Sequence, residues 1–321
     1  MNNYSWLQQK LHKFALSSQF MREVSFDTEN SLISSNIVGK NHVFIAGLAR
    51  SGTTILLNAI HESGEFGSLS YADMPFILAP NLWSKISIQK SNIKLVERAH
   101  GDGILFSNKS PEAFEEIFWN TFSDKDDGSK EKFRIYLKLI MHKYQKNRYL
   151  SKNNQNIRRL ELISDTFPDS IILIPYRNPL QQANSLLKQH RKFIKESKKD
   201  IFISNYMEWT GHTEFGGRYI PIHKKNLSFK DDLDINHWLE QWHLTYKNCL
   251  EVLYGKKNIH FISYEKLCHS KEYWLKILKI LDIDNNYPSS FIESKKDTSL
   301  DISNDLHQKT LFLFNQLNEL S

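Results

Sequence analysis

The stretch HVFIAGLARSGTTILLNAIH, beginning at His42, holds the first residues whose types and spacing could do chemistry. Gly47 and Gly52 stand at the G-x-x-x-x-G spacing of a phosphate-binding loop, with Thr53 and Thr54 where such loops place Lys and then Ser or Thr. Glycines let the turn approach a ligand closely, successive backbone N–H groups point into the concavity, and the positive end of the following helix favours an anion. Arg50, Ser51, Thr53 and Thr54 add side-chain donors. The loop reads as an anion site that lacks its usual lysine.

A second constellation is YRNPLQQANSLL from Tyr176. Arg177 lies just past a strand end, and Ser185 falls about two turns into the following helix at ~3.6 residues per turn. Presented together they can bracket a second phosphate, the guanidinium supplying a planar fork of donors. ATP hydrolysis fits less well, because the loop lysine is missing and the strand ends in IPYR, without an acidic residue to hold magnesium.

These residues need strands to carry them. Apolar runs predict strands at Val43–Ala46, Ile104–Phe106, Ile171–Tyr176 and His260–Ser263. Helical patterns cover Thr53–His61, the stretch EKFRIYLKLIMHKYQ, the segment after Pro179 through Leu187, His237–Tyr254 and Lys271–Leu281, and Ser110 and Pro111 read as the cap and start of another helix. Strands alternating with helices predict an α/β fold: a P-loop-like central parallel sheet covered by helices on both faces, with the site beyond the carboxyl ends of the strands. The expected organisation is an N-terminal helical arm over 1–40 and one domain over 41–321, with helical insertions near 112–160 and 200–235. The second insertion, rich in Gly, aromatic and charged residues, reads either as a substrate-facing lid or as a long surface loop.

Composition narrows the class. Of 321 residues, 40% are hydrophobic and 24% charged, which is globular and neither disordered nor fibrous. A net charge of +6 favours anionic ligands without naming one. The basic run KQHRKFIKESKK from Lys188 reads as the exposed face and end of a helix, with a phosphate or nucleic-acid patch as the alternative. No helix-turn-helix, zinc or RNA-binding motif supports nucleic acid. Cys249 and Cys268 form neither a disulfide framework nor a metal-binding spacing, so a reducing, cytoplasmic home is expected. His212 and Glu214, a bare His-x-Glu, read as loop structure or acceptor contact, and no metal is expected. No apolar run approaches the ~20 residues that span a bilayer. Leu7, Leu11, Phe14 and Ala15 recur at helical spacing and predict a docking helix, with peripheral membrane contact as the alternative.

Taken together, the RSGTT loop and the Arg177–Ser185 motif resemble those of sulfotransferases that use 3′-phosphoadenosine 5′-phosphosulfate, of bacterial type and nearest in motif style to the tyrosylprotein and carbohydrate branches. The resemblance extends over roughly 41–283. It implies that Arg50, Ser51, Gly52, Thr53 and Thr54 hold the 5′-phosphosulfate, that Arg177 and Ser185 hold the 3′-phosphate, and that Tyr264 in ISYEKL contacts the nucleotide. NKSP at Asn108 resembles the lysine-containing K-x-P turn of the tyrosylprotein branch. Arg50 stands where the eukaryotic cytosolic branch has Lys, and the RKG segment of that branch is missing.

The implied reaction moves a sulfuryl group to an acceptor hydroxyl, on a saccharide or glycolipid headgroup first, with a small metabolite or a protein tyrosine as other acceptors. Arg50 and Lys109 would offset developing negative charge. Asp73, in a region where the related branch carries a Glu, would be the general base, with Glu62 and His61 as local competitors. The alternatives are a P-loop kinase or NTPase using magnesium-ATP and a non-catalytic nucleotide-binding regulator.

Overall fold

Val43, Phe44 and Ile45 are wholly buried, and their side chains alternate between two cores as strand geometry requires. Phe44 joins an aromatic cluster with Phe133, Tyr149 and Phe167, whereas Val43 and Ile45 meet Leu56, Leu57, Ile60 and Trp274 on the other face. This strand is the middle of the molecule.

The computed structural model describes residues 5–34, 37–87, 96–97, 105–253, 256–284, 291–292 and 302–321. In chain order the elements are α1 (Trp6–Leu16), α2 (Gln19–Leu32), β1 (Val43–Ile45), α3 (Thr53–His61), α4 (Pro80–Ile86), β2 (Val96–Glu97), β3 (Leu105–Phe106), α5 (Glu116–Phe122) and α6 (Ser129–Tyr144). There follow β4 (Leu150–Lys152), α7 (Leu160–Thr166), β5 (Ile171–Tyr176), α8 (Pro179–Ser197), α9 (Ile201–Trp209), α10 (Ile235–Leu253), β6 (Ile259–Ser263), α11 (Tyr264–His269), α12 (Lys271–Ile280) and α13 (Asn304–Leu320).

The central sheet is four-stranded and parallel, ordered β4-β1-β5-β6. Ile45 lies level with Lys152 on one side and Leu173 on the other. The chain leaves β1 toward β4 and then returns to β5 on the opposite flank, so the carboxyl end of β1 is a topological switch point, where α/β sheets bind ligands. Helices α3 and α12 cover one face, and α6, α10 and α13 contribute to the core of the other. The fold is the α/β architecture with a central parallel sheet that the sequence predicts.

Several elements differ from expectation. Leu105 and Phe106 pair antiparallel with Val96 and Glu97 and lie outside the central sheet, while Ile104 falls outside the described residues. The missing strand is β4, inside the segment read as a helical insertion over 112–160. Pro111 starts no helix: it bridges to Ser70, the Ser110 hydroxyl accepts from the Ser107 N–H at 2.9 Å, and α5 begins only at Glu116. Helix α1 docks through His12, Ala15 and Leu16, with Leu7 and Phe14 exposed. Helix α8 runs past Leu187 to Ser197, carrying most of the basic run on its last turns. Tyr254, the expected end of α10, lies outside the described residues. Among the described residues, no helix is long and apolar enough to cross a membrane.

Candidate functional site

The glycine loop leaves β1 at the switch point and ends on α3. Gly52 caps that helix at φ 92°, a left-handed conformation glycine adopts freely, and no side chain caps the helix start. An added Cβ there would stand 2.4 Å from the Tyr264 ring, so the ring at the end of β6 lies directly against the loop. Arg50 also has positive φ, at 69°. Such a value is uncommon for a side-chain-bearing residue and persists where the surroundings enforce it.

Those surroundings are visible. The Gln182 side-chain amide donates to the Ala49 carbonyl at 3.1 Å and accepts from the Trp242 indole at 3.0 Å, pinning the loop to α8 and α10. Arg50 Nε donates to Ser185 Oγ at 3.0 Å. Arg177, only 8% exposed, reaches the Arg50 carbonyl at 3.4 Å and the Gln181 amide oxygen at 3.2 Å, with its guanidinium 5.6 Å from the Tyr264 ring centre. Burial lowers the pKa of Arg177; Tyr264 and Glu265 oppose that shift, and the neighbouring Arg50 adds to it. Two guanidinium groups thus meet beside an uncapped helix start, an arrangement that an anion relieves.

Arg50, Gly52, Arg177, Ser185 and Tyr264 therefore come together in one place. Ser51 and Thr53 are buried within the same turn, and Thr54 is half-buried. Two other expected residues have surroundings of their own. Lys109 is exposed on the turn after β3. Asp73 is wholly buried in a short helical turn, where its Oδ2 accepts from the Ser70 N–H at 2.7 Å and the Tyr144 hydroxyl at 2.5 Å and its Oδ1 pairs with Lys143. With both oxygens engaged, that carboxylate holds the turn to α6.

The structure adds residues that sequence reasoning passed over. Lys152 ends β4 beside the loop strand, is 5% exposed and pairs with Glu112 at 4.0 Å; Glu112 also accepts from the Tyr71 hydroxyl at 2.7 Å. Two residues on, Asn154 accepts from the Thr53 hydroxyl at 3.4 Å. Only the polar run KNNQN after a short apolar pair signalled this strand end. Across from it, a cavity of about 30 Å³ opens between Leu48 and Ala49 of the loop, Asn154 and Gln155, and the segment that carries Glu214 and Tyr219. Among the described residues, no group of three or more His, Cys, Asp or Glu side chains is placed to hold a metal ion.

The sulfotransferase family model matches residues 42–286, from the residue before β1 past the end of α12. The chain belongs to the sulfotransferase family. It is an enzyme of sulfuryl transfer. Three solved bacterial sulfotransferases are similar to it. STF1 from Mycobacterium tuberculosis H37Rv is 13% identical at TM-score 0.49, the match covering 96% of this chain and 81% of that one. STF9 from Mycobacterium avium is 11% identical at TM-score 0.46, over 98% and 79%. A sulfotransferase from Alicyclobacillus acidocaldarius is 16% identical at TM-score 0.42, over 88% and 95%. No curated protein sequence matches this sulfotransferase.

Proposed function

We propose that this sulfotransferase takes its sulfuryl group from 3′-phosphoadenosine 5′-phosphosulfate and delivers it to an acceptor hydroxyl. The observation that carries the reading is the junction of Arg50, Ser185 and Arg177 between the loop and α8. A nucleotide with phosphate at both its 3′ and 5′ positions fits that pair of sites, and a nucleoside triphosphate leaves the second one unused.

The loop N–H groups, Arg50, Ser51, Thr53 and Thr54 would hold the 5′-phosphosulfate, Arg177 and Ser185 the 3′-phosphate, and Tyr264 would contact the nucleotide. When bound, the donor supplies an activated sulfuryl group on a phosphate leaving group. Lys152, arriving from the neighbouring strand, takes the place of the lysine the loop lacks. Buried beside Ile45 in register, it is placed to offset charge that develops during transfer, and it replaces Lys109 in that role. Gln182 and Trp242 keep the loop donors fixed, so little reorganisation is needed as charge builds.

Calorimetric titration with adenosine 3′,5′-bisphosphate, beside adenosine 5′-phosphate and magnesium-ATP, tests the reading. Tight binding of the bisphosphate alone is expected. Preference for magnesium-ATP would replace this proposal with a kinase or NTPase.

A further inference from the structure

The segment after α9 folds back over the loop. The Gln155 side chain donates to the Thr213 hydroxyl at 2.9 Å, and the Ile222 N–H donates to the Gln241 side chain at 3.0 Å, so residues 213–222 are tied at both ends across the carboxyl edge of the sheet. The cavity lies beneath. Its walls are mostly apolar, with Leu48, Leu186, Ile222 and the aromatic pair Tyr219 and Trp238, whose rings are 4.6 Å apart. Ile220, 51% exposed, stands at its edge.

Into this wall is set one carboxylate, Glu214. Its side chain is 11% exposed, and Oε2 lies 3.4 Å from His212 Nδ1. That oxygen makes no hydrogen bond among the described residues. Even beside His212, a buried carboxylate oxygen without a hydrogen bond lacks a donor that a reacting hydroxyl would supply, and a cavity of about 30 Å³ matches one such water-sized group.

We propose that this cavity receives the acceptor hydroxyl, that Glu214 is the general base of the transfer with His212 positioning it, and that the hydroxyl is carried on an aromatic or alkyl group. The inference rests on the donor reading above. As the acceptor oxygen bonds to sulfur, its proton passes to the Glu214 carboxylate. The electron pair of the cleaved S–O bond leaves with the bridging oxygen on the nucleotide phosphate, giving a sulfate ester and the bisphosphate. The charged groups around Glu214 are His212, Lys152, Arg158 and Glu116. Burial pushes its carboxyl up, but His212, then its own backbone N–H and then Lys152 outweigh that and lower it, so the base is ionised at neutral pH.

The parent, Glu214→Gln and Glu214→Asp are compared with the sulfate donor and three probes, 2-naphthol, 1-octanol and N-acetylglucosamine, after calorimetry with adenosine 3′,5′-bisphosphate. Expected are transfer to 2-naphthol or 1-octanol by the parent and a fall in kcat of about 10²–10⁴-fold in Glu214→Gln at unchanged bisphosphate affinity. The acid limb of the kcat profile should vanish in Glu214→Gln and persist at reduced kcat in Glu214→Asp. Parental kcat in Glu214→Gln overturns the base. Transfer to the sugar alone, or to none of the probes by a parent that binds the bisphosphate, overturns the acceptor class. Loss of bisphosphate binding in both variants makes Glu214 structural and also overturns the assignment. A parent that does not bind the bisphosphate sinks the donor reading itself, and this inference with it.

Discussion

Arg50 and Ser185, 135 positions apart in the chain, are joined by a 3.0 Å hydrogen bond that ties the glycine loop to the helix after β5. The bond brings the two anion sites of the donor reading into contact, and Arg177 extends it by reaching the Arg50 carbonyl.

Replacing Arg177 with Ala should remove the preference for a 3′-phosphate. A charge-assisted hydrogen bond is worth about 1.5–3 kcal/mol, so bisphosphate affinity should fall roughly ten- to a hundred-fold. Affinity for adenosine 5′-phosphate should change little. Equal losses for the two ligands in calorimetry would take Arg177 out of that role.

Lys152→Gln separates chemistry from binding. The bisphosphate lacks the sulfuryl group that the ammonium would face, so its affinity should be nearly unchanged while kcat falls on the order of 10²–10³-fold. A variant with parental kcat would remove Lys152 from the transfer.

Gly52→Ala should damage the loop twice. A side chain in the left-handed region costs about 1–2 kcal/mol, and the new methyl group would collide with the Tyr264 ring. Lower thermal stability and weaker bisphosphate binding are expected together, and a variant normal in both would contradict the contact.

Asp73→Asn tests a structural carboxylate. Breaking a buried ion pair leaves Lys143, 9% exposed, uncompensated at a cost of about 3 kcal/mol or more. Urea unfolding should show the loss, while kcat per folded molecule stays near parental. A stable variant with abolished turnover would restore Asp73 as the base.

His42 makes stability depend on pH. Burial lowers its pKa from 6.5 to about 4, with Asp169 opposing and Arg148 adding to the shift, and its Nδ1 accepts the Tyr149 N–H at 3.1 Å, which requires a neutral ring at that nitrogen. The unfolded chain therefore takes up the proton first. Stability from this group is full above pH 6.5 and is lost as pH falls toward about 4, amounting to about 3 kcal/mol. Subtracting the unfolding free energies of His42→Gln from those of the parent across that range isolates the effect, and a flat difference would refute it.

The loop strand, β5 and the Arg177–Ser185 spacing were legible because each is local: an apolar run, a glycine turn, a helix period. Lys152 was not, because β4 is three residues long and its pairing with β1 depends on residues far away in the chain. Asp73 looked exposed to chemistry for a similar reason. Its partners Lys143 and Tyr144 stand 70 and 71 positions later on α6, and nothing near Asp73 announces them. The helix expected at Pro111 failed because the chain there bridges to Ser70, and tertiary pairing overrode a local start signal.

The strand order β4-β1-β5-β6 also bears on how the chain is made. The Val43 N–H donates to the Tyr149 carbonyl, and the Ala46 N–H donates to the Leu173 carbonyl, so β1 has no sheet neighbour until the chain has been made as far as Lys152. Pairings of such long reach form slowly, and an apolar strand that waits for them is open to aggregation. The loop that would grip the donor is translated early and acquires its support late, which makes the nascent chain, more than the finished enzyme, the stage at which a chaperone would matter.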